Sequence, residues 1–281
     1  MFPWKAANSN SEALYRLSYR GSVIQLLTQQ LYHPTLGIRV SKSFAILVWM
    51  SDKIKINILR AFVDERGDYG NPTGIVLDTA QQIRQSARQK IATTLHFTDT
   101  VFINSLDPIN VSFFNPEQET KFAGDSLIST AYLIKHVLEK NADLIICRGG
   151  HIKTWSEGEL TWIEASLEGT PGWQHQQLAS PEAIDSITPE QSSHYEHTMV
   201  WAWANEAKGL IRSRTFLPDW GTLEDQGNGS GSMQLAKILG RKIEIHQGRG
   251  SVIYAEPSIN NLSKVGGRVR IDAPHQVNMI D

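Results

Sequence analysis

Cysteine is almost absent from this chain of 281 residues: Cys147 is its single occurrence, which excludes an internal disulfide. The same lack excludes cysteine-rich metal sites and any mechanism that needs two thiols. The nine histidines show no HExxH motif, so no metal site is predicted. The phosphate-loop ending Gly-Lys-Ser/Thr, the dinucleotide fingerprint GxGxxG and the nucleophile elbow GxSxG are also missing, so none of these three kinds of site is predicted.

Charge of one sign is lacking too. The net charge is −2, with 41% hydrophobic and 20% charged residues. This balance gives no basic field for nucleic acid and no acidic tail. The first twenty residues do not read as a signal peptide, and no apolar run approaches the length of a membrane span. We therefore expect a cytoplasmic protein with a small-molecule partner and no contact with nucleic acid or membrane.

The sequence is organised around residues 113–138, FFNPEQETKFAGDSLISTAYLIKHVL. This stretch predicts a strand, a turn and then a helix that begins at Gly124, Asp125 and Ser126. A glycine lets the backbone turn sharply and approach a ligand closely. The first N–H groups of a helix lack intrahelical partners and can hold a carboxylate or phosphate. The apolar face of this helix is predicted to bury Leu127, Ala131, Ile134 and Leu138.

The same pattern recurs at residues 214–240, RTFLPDWGTLEDQGNGSGSMQLAKILG. Here Gly229 and Ala236 repeat the spacing of Gly124 and Ala131, and Gly240 is a typical helix end. The buried face of this second helix is predicted to contain Leu235, Ile238 and Leu239. Two related half-units are the economical interpretation, although strand–proline–glycine–helix turns also arise by chance. The predicted fold class is therefore α+β, with two pseudo-symmetric lobes of mixed sheet around one central helix each and a cleft between the lobes.

The rest of the chain fits this plan. A strand over Ile54–Ile58 and another over 73–78 flank a polar turn at 65–72. Thr79 and Gln82 resemble a capping box that opens a helix, whose inward face would be Ile83, Ala87 and Ile91. Residues 142–169 predict three short strands. We expect residues 1–50 to be an N-terminal extension, 51–140 a first lobe and 141–281 a second lobe whose final strand returns to the first.

Three acidic side chains stand at turns that could face the predicted cleft: Asp99, Asp125 and Asp225. A carboxyl group in a dry site, or beside another carboxylate, has its pKa raised toward neutrality and can then give or take a proton. The alternative is that an aspartate at a helix start only caps the backbone N–H groups there.

Taken together, several motifs resemble the phenazine-biosynthesis PhzF-like family, which has the diaminopimelate-epimerase fold. They are GNPTGIVLD (70–78), IATTLHFTDTVFI (91–103), residues 113–134, residues 214–232 and IEIHQGRGSVIYAE (243–256). The resemblance spans about residues 54–272 in the right order. It implies a cofactor-independent isomerase or epimerase, commonly a homodimer, that moves a proton on a small carboxylate-bearing, amino-acid-like substrate in a biosynthetic process.

The resemblance also assigns residues, with three departures. The family's glutamate falls on Asp99, a shorter acid, and the histidine of its Gly-His helix start falls on Asp125. Its Glu-Asp motif keeps the aspartate as Asp225, while the usual Thr-Gly-Ser becomes Asn228-Gly229-Ser230. The expected catalytic residues are therefore Asp99, Asp125 and Asp225, and the substrate-binding residues are Gly124, Ser126, Asn228, Gly229 and Ser230. Because these positions are altered, the alternative is a family member impaired in catalysis that acts as a small-molecule binding or interaction protein.

Overall fold

The computed structural model describes the backbone of residues 5–6, 13–19, 22–33, 38–48, 53–220 and 222–278, and the side chains of 53–220 and 223–278. The chain divides into two compact units, Met1–Ile54 and Lys55–Asp281. The predicted boundary between lobes at residues 140 and 141 stays a prediction.

The first unit contains a four-stranded antiparallel sheet. Its strands are β1 (Lys5–Ala6), β2 (Ala13–Tyr19), β3 (Ser22–His33) and β4 (Ile38–Val48). Strand β3 pairs antiparallel with each of the other three. The prediction that residues 1–50 are a peripheral extension depends on features that lie outside the described residues.

The second unit is a mixed sheet of sixteen described strands with five α-helices. Its N-terminal strands are β5 (Lys53–Val63), β6 (Tyr69–Leu77), β7 (Asp99–Leu106), β8 (Ile109–Phe114), β9 (Glu119–Thr120), β10 (Leu144–Cys147), β11 (Gly150–Glu157) and β12 (Leu160–Ser166). Those that follow are β13 (Gln174–Gln177), β14 (Thr198–Asn205), β15 (Leu210–Leu217), β16 (Thr222–Asp225), β17 (Ile243–Gln247), β18 (Ser251–Pro257), β19 (Leu262–Ile271) and β20 (His275–Asn278). The helices are α1 (Gln85–Leu95), α2 (Gly124–His136), α3 (Pro181–Asp185), α4 (Pro189–Ser192) and α5 (Gly229–Leu239).

The two halves of this unit repeat one order of pairing. In the first half β6 runs parallel to β7, β8 pairs antiparallel with β7 and β9, and β10, after α2, runs parallel to β8. The second half repeats this order. Strand β13 runs parallel to β14, β15 pairs antiparallel with β14 and β16, and β17, after α5, runs parallel to β15. The prediction of two pseudo-symmetric lobes of mixed sheet is confirmed.

The first half closes into a ring. Strand β19 pairs with both β12 and β5, so β5, β6, β7, β8, β10, β11, β12 and β19 form a continuous circuit. Helix α2 packs inside this circuit, against β6, β7, β11, β12 and β19. A helix enclosed in this way is buried on all sides, which is why the row from Gly124 to Ala131 is entirely buried.

The core of α2 contains the predicted Leu127, Ala131 and Ile134, and it extends to Ile128 and Leu133 on the other faces. Each fully buried Leu or Ile side chain stabilises the fold by about 1.5–3 kcal/mol. Leu138 follows the end of the helix and is only partly buried.

Three local predictions need correction. Thr79 and Gln82 do not open α1, since Arg84 precedes its first residue and the carboxylate of Asp78 accepts the N–H groups of Gln82 and Ile83 instead. Ile238 is 64% exposed, because it does not lie on the buried face of α5, which contains Leu235 and Ala236. The predicted turn at 65–72 is shorter than expected, because β6 already begins at Tyr69. The αL end of α5 at Gly240 is confirmed.

Candidate active site

The N-terminal ends of α2 and α5 meet backbone to backbone. A Cβ atom on Gly124 would lie 3.1 Å from the Cα of Gly229, and a Cβ on Gly229 would lie 3.1 Å from backbone atoms of Gly124. No side chain larger than hydrogen fits between the two helix starts without a shift of backbone. The two sequence repeats therefore converge on one point, where two helix dipoles present their positive ends.

Three aspartates surround this point, each brought by a different element. Asp99 begins β7, Asp125 is the second residue of α2, and Asp225 ends β16. Their residues are 6%, 4% and 4% exposed, respectively. The predicted convergence of the three acids is thus what the fold produces, although their chemical roles stay predictions.

Asn71 links two of these acids. Its side-chain Nδ2 donates to Asp125 Oδ2 over 2.7 Å and to Asp225 Oδ1 over 3.0 Å. An amide nitrogen carries two hydrogens, so each carboxyl group receives one. The parallel register of β6 and β7, which places Thr73 opposite Asp99, brings this part of β6 beside the acids. Asn71 therefore fixes the separation between Asp125 and Asp225.

Asp125 lies at the start of its own helix. The N-cap of α2, Ala123, has no side-chain acceptor, and the backbone N–H groups of Asp125 and Ser126 act on the Asp125 carboxyl group to lower its pKa. The carboxyl group therefore stands beside the positive end of the helix dipole. Asp125 also lines the cavity described below, and its capping role stays a prediction.

The pKa values of all three carboxyl groups are raised, and burial is the largest cause for each. The pKa of Asp125 rises to about 6, because burial outweighs the hydrogen bonds from Ser126 and Asn71. The pKa of Asp225 rises to about 7, through burial and the nearby charge of Asp125, against the N–H of Gly227. The pKa of Asp99 lies well above its ordinary value, through burial and the charges of Asp125 and Asp225. At neutral pH such a group holds both protonated and ionised carboxyls.

Asp99 has few polar contacts to offset its burial. The hydroxyl of Thr120 donates to Asp99 Oδ1 over 3.4 Å, which is long for an O–H···O bond. Weak compensation of this kind favours the neutral, protonated form of a buried carboxyl group.

Asp225 is held more firmly. Its Oδ1 accepts the backbone N–H of Gly227 over 2.9 Å, and its carbonyl oxygen accepts from the side chain of Gln247. The preceding Glu224 turns away and pairs with Arg214 through two short contacts. Of the two acids in the Glu-Asp motif, only Asp225 lines the cavity.

At the start of α5, Asn228 is the N-cap and its Oδ1 accepts the backbone N–H of Gly231 over 2.9 Å. The hydroxyl of Ser230 donates to the same oxygen over 3.3 Å and accepts the indole N–H of Trp173 over 2.8 Å. The Nδ2 of Asn228 is buried and has no hydrogen-bond partner within the described part of the chain. This helix start therefore keeps an unused donor beside the aspartates.

The cavity at the aspartates is small, about 20 Å³. A buried water needs roughly 10–15 Å³ measured in this way, so the space suits one water molecule. One wall is aromatic: the rings of Trp173, His197 and Trp220 meet edge to face, with centroids 4.5–6.1 Å apart. Entry of an organic molecule requires displacement of Trp173 or Trp220, both of which line the cavity.

The predicted site residues are distributed as follows. The cavity is lined by Asp99, Gly124, Asp125, Asp225, Asn228, Gly229 and Ser230. Ser126 does not line the cavity. Its hydroxyl instead forms a hydrogen bond with the hydroxyl of Thr73, 3.2 Å away. The sequence reasoning missed Asn71 and Trp173. Asn71 lies in the GNPTG motif that contributed to the resemblance, and that motif was the one signal available.

Other chemistry is located elsewhere. Cys147 lies in β10 with its thiol directed at the carbonyl of Gly150, and burial raises its pKa. Among residues 53–220 and 223–278 no three His, Cys, Asp or Glu side chains are arranged to hold a metal ion. None of the described helices has the length and apolar character needed to cross a membrane.

Comparison with known proteins gives a family match in the first half. Residues 59–168 match the model of PhzC-PhzF, phenazine biosynthesis-like protein. The matched segment contains β6 with Asn71, the start of β7 with Asp99 and the whole of α2.

Solved structures match over about four fifths of the chain. A phenazine biosynthesis protein of the PhzF family from Enterococcus faecalis is 17% identical with a TM-score of 0.65, over 80% of this chain and 99% of that one. The Bacillus anthracis PhzF-family protein is 18% identical with a TM-score of 0.65, over 81% and 99%. A hydroxyproline epimerase from Agrobacterium vitis, solved with bound trans-4-OH-L-proline, is 11% identical with a TM-score of 0.53, over 82% and 94%.

The resemblance predicted from the sequence is therefore confirmed: the chain is similar to the PhzF-like family over residues 59–168 and has the α+β, diaminopimelate-epimerase-like fold of that family.

Proposed function

We propose that this protein is a cofactor-independent isomerase or epimerase of the PhzF-like type, which moves a proton on a small, carboxylate-bearing, amino-acid-like substrate. The observation that supports it most is the convergence of three buried carboxyl groups whose pKa values are raised, two of them to about 6 and about 7. Moving a proton between two carbons of one molecule leaves its composition and its electron count unchanged, so such a reaction needs no external reagent.

The differences among the three acids suggest a division of roles. Asp99, whose pKa lies well above its ordinary value because of burial and the charges of Asp125 and Asp225, is proposed to donate the proton. Asp125, with a pKa of about 6, is mainly ionised and can accept a proton from carbon. Asp225, with a pKa of about 7, is divided between both forms and can exchange a proton with either. Two carboxyl groups in opposite protonation states are what a general acid and a general base require.

Substrate binding is assigned to the helix starts. The backbone N–H groups of Gly229 and Ser230, together with the unpaired Nδ2 of Asn228, are the donors proposed for a substrate carboxylate. On α2, Gly124 is proposed to permit the close approach of the two helix starts, while the binding role of Ser126 stays a prediction, because Ser126 does not line the cavity. We also propose a cytoplasmic homodimer with a biosynthetic role, as the family resemblance implies.

The test is proton NMR in D₂O with the full-length protein and a panel of cyclic and acyclic amino acids that includes dihydro-hydroxyanthranilate. Deuterium should enter a carbon position with the unmodified protein and not with Asp99→Asn. A matched variant, Asp68→Asn, changes an exposed aspartate of the β5–β6 turn and should retain full exchange. Exchange that survives in Asp99→Asn would refute the role given to Asp99.

A second candidate is a binding or interaction protein with impaired catalysis. Two observations favour it: the cavity has room for only one water molecule, and Asp125 stands at the helix start where the resemblance places a histidine. In that case the same NMR experiment should show ligand-dependent chemical shifts of the protein without incorporation of deuterium.

A further inference from the structure

A second cavity has a volume of about 430 Å³ and lies away from the three aspartates. It shares no lining residue with the cavity at the aspartates. It is bounded by the β5–β6 turn, the β11–β12 turn, strand β19 and the C-terminal half of α2. Ligand pockets for small molecules typically measure about 300–1,000 Å³. From Asp125 to His136, eleven residues of α2 rise by roughly 16 Å, so this cavity lies near the opposite end of the helix.

Three arginines contribute to the lining: Arg66 from the turn, and Arg268 and Arg270 from β19. A guanidinium group is planar, is always charged and presents its donors in a fork that matches a carboxylate or phosphate. Arg268 donates through Nε to Glu159 over 3.0 Å, while its Nη1 has no hydrogen-bond partner among residues with described side chains.

Three acids line the same cavity, and the charge of each is either used within the turn or largely exposed to water. Asp64 accepts the backbone N–H groups of Arg66 and Asp68 over 2.9 and 2.8 Å, so its charge is used within the turn. The side chains of Glu65 and Glu159 are 83% and 80% exposed, against 21% for Arg268. The guanidinium group of Arg268 is therefore more enclosed than the two glutamates that pair with it.

The existing ion pairs are replaceable. The contacts of Arg268 with Glu159 and Glu65 span 3.0 and 3.8 Å, and both glutamates lie at the surface. Ion pairs with exposed partners contribute little net stability, because water screens them and both side chains lose freedom. A ligand anion that reaches Arg268 from the cavity can take the place of these carboxylates at little cost.

The remaining wall is aromatic and apolar. The rings of Tyr132 and His136 lie with centroids 4.5 Å apart on α2, and Leu160 and Val269 also line the cavity. A surface of this kind packs against a flat or apolar body, while the arginines hold a charge at its edge.

We propose that this cavity is a second binding site, for a small organic anion in which a carboxylate or phosphate group is attached to an aromatic or apolar body. Arg66, Arg268 and Arg270 hold the anionic group, and Tyr132 packs against the body. The site is separate from the proposed active site and does not depend on catalysis there.

The test uses benzoate and inorganic phosphate as separate probes, each titrated into the full-length protein and followed by NMR of the His136 ring and of the Trp173 indole. Benzoate should saturate the His136 shift, while benzamide, its neutral counterpart, should bind at least about tenfold more weakly, as expected for loss of a charged hydrogen bond. Phosphate binding without benzoate binding would assign the site to phosphate-bearing ligands.

Arg268→Gln and Arg66→Gln should each weaken benzoate binding by about tenfold. Arg241→Gln, which removes the same charge beside Trp203 and outside this cavity, is the matched control and should leave it unchanged. Arg66 lies in an exposed turn, so its variant keeps the test valid if Arg268→Gln fails to fold. Equal binding of benzoate and benzamide, shifts only at Trp173, or full binding by both pocket variants would overturn the proposal.

Discussion

Gly124 and Gly229 touch through their backbones, so the two sequence repeats meet where each lacks a side chain. The contact brings the N-terminal ends of α2 and α5 together and leaves the Asp125 and Asn228 side chains as the polar groups beside them. A close approach of this kind needs glycine on both sides, because any Cβ would lie within 3.1 to 3.3 Å of rigid backbone.

Gly229→Ala should therefore destabilise the fold, by about 1–3 kcal/mol, as overpacking does when the neighbouring atoms cannot move. The free energy of unfolding in urea is the measurement. Gly172→Ala is the matched control, since a Cβ there meets no atom within 4 Å and the residue has no left-handed backbone angle. Equal stability of the two variants would mean that the helix starts separate without cost.

Asn71→Leu should raise the pKa of Asp125 above about 6, because the variant keeps the approximate volume but removes the amide hydrogen bond that favours the ionised form. The measurement is a carbon NMR titration of the aspartate carboxyl groups, which needs no substrate. Where turnover is found, the acidic limb of its pH profile should move to higher pH. Asn141→Leu, at an exposed asparagine, should change neither. An unchanged pKa for Asp125 would show that Asn71 has no electrostatic role.

The buried aspartates should make the protein less stable as pH rises. A carboxyl group whose pKa is about 7 in the folded state and 3.8 when exposed binds its proton more tightly in the folded state. Its contribution is complete below pH 4 and is lost as pH rises through 7. For Asp225 the loss is on the order of 4 kcal/mol, since the pKa differs by about three units and each unit corresponds to about 1.4 kcal/mol.

Asp225→Asn should remove this part of the pH dependence, since asparagine accepts the same hydrogen bonds but cannot ionise. The free energy of unfolding, measured in urea between pH 4 and pH 8, should decline less in the variant than in the unmodified protein. A parallel decline in both proteins would contradict the raised pKa of Asp225. Asp68→Asn, at an exposed position, should behave like the unmodified protein.

Local hydrophobic patterns and the two sequence repeats were sufficient to predict much of the fold. The starts of α2 and α5, the αL end at Gly240 and the three strands of residues 142–169 follow from short-range signals, and the structure confirms them. The capping box at Thr79 was wrong because Asp78, one residue earlier, supplies a stronger acceptor for the same N–H groups. Ile238 was wrong because helical spacing alone does not fix which side of α5 faces the sheet.

The site was harder to predict, because its contacts join distant parts of the chain. Asn71 and Asp225 are 154 residues apart, and only the register of β6 and the closure of the two halves bring them within 3.0 Å. Trp173 lies in a segment without periodicity, yet it reaches Ser230, 57 residues later. No pattern in residues 170–195 indicates that contact.

Trp173 provides the last prediction. Its indole N–H donates a hydrogen bond to the hydroxyl of Ser230, and its ring lines a cavity with room for only one water molecule. Binding of a small aromatic amino acid such as anthranilate at the aspartates should move this ring and change the tryptophan fluorescence of the protein. Trp173→Phe should lose most of that change. Trp155→Phe, which alters a tryptophan stacked on Trp162 outside the cavity, should keep it. If Trp173→Phe responds to anthranilate as strongly as Trp155→Phe, the ligand enters by another route, and Trp220 becomes the part of the wall that must move.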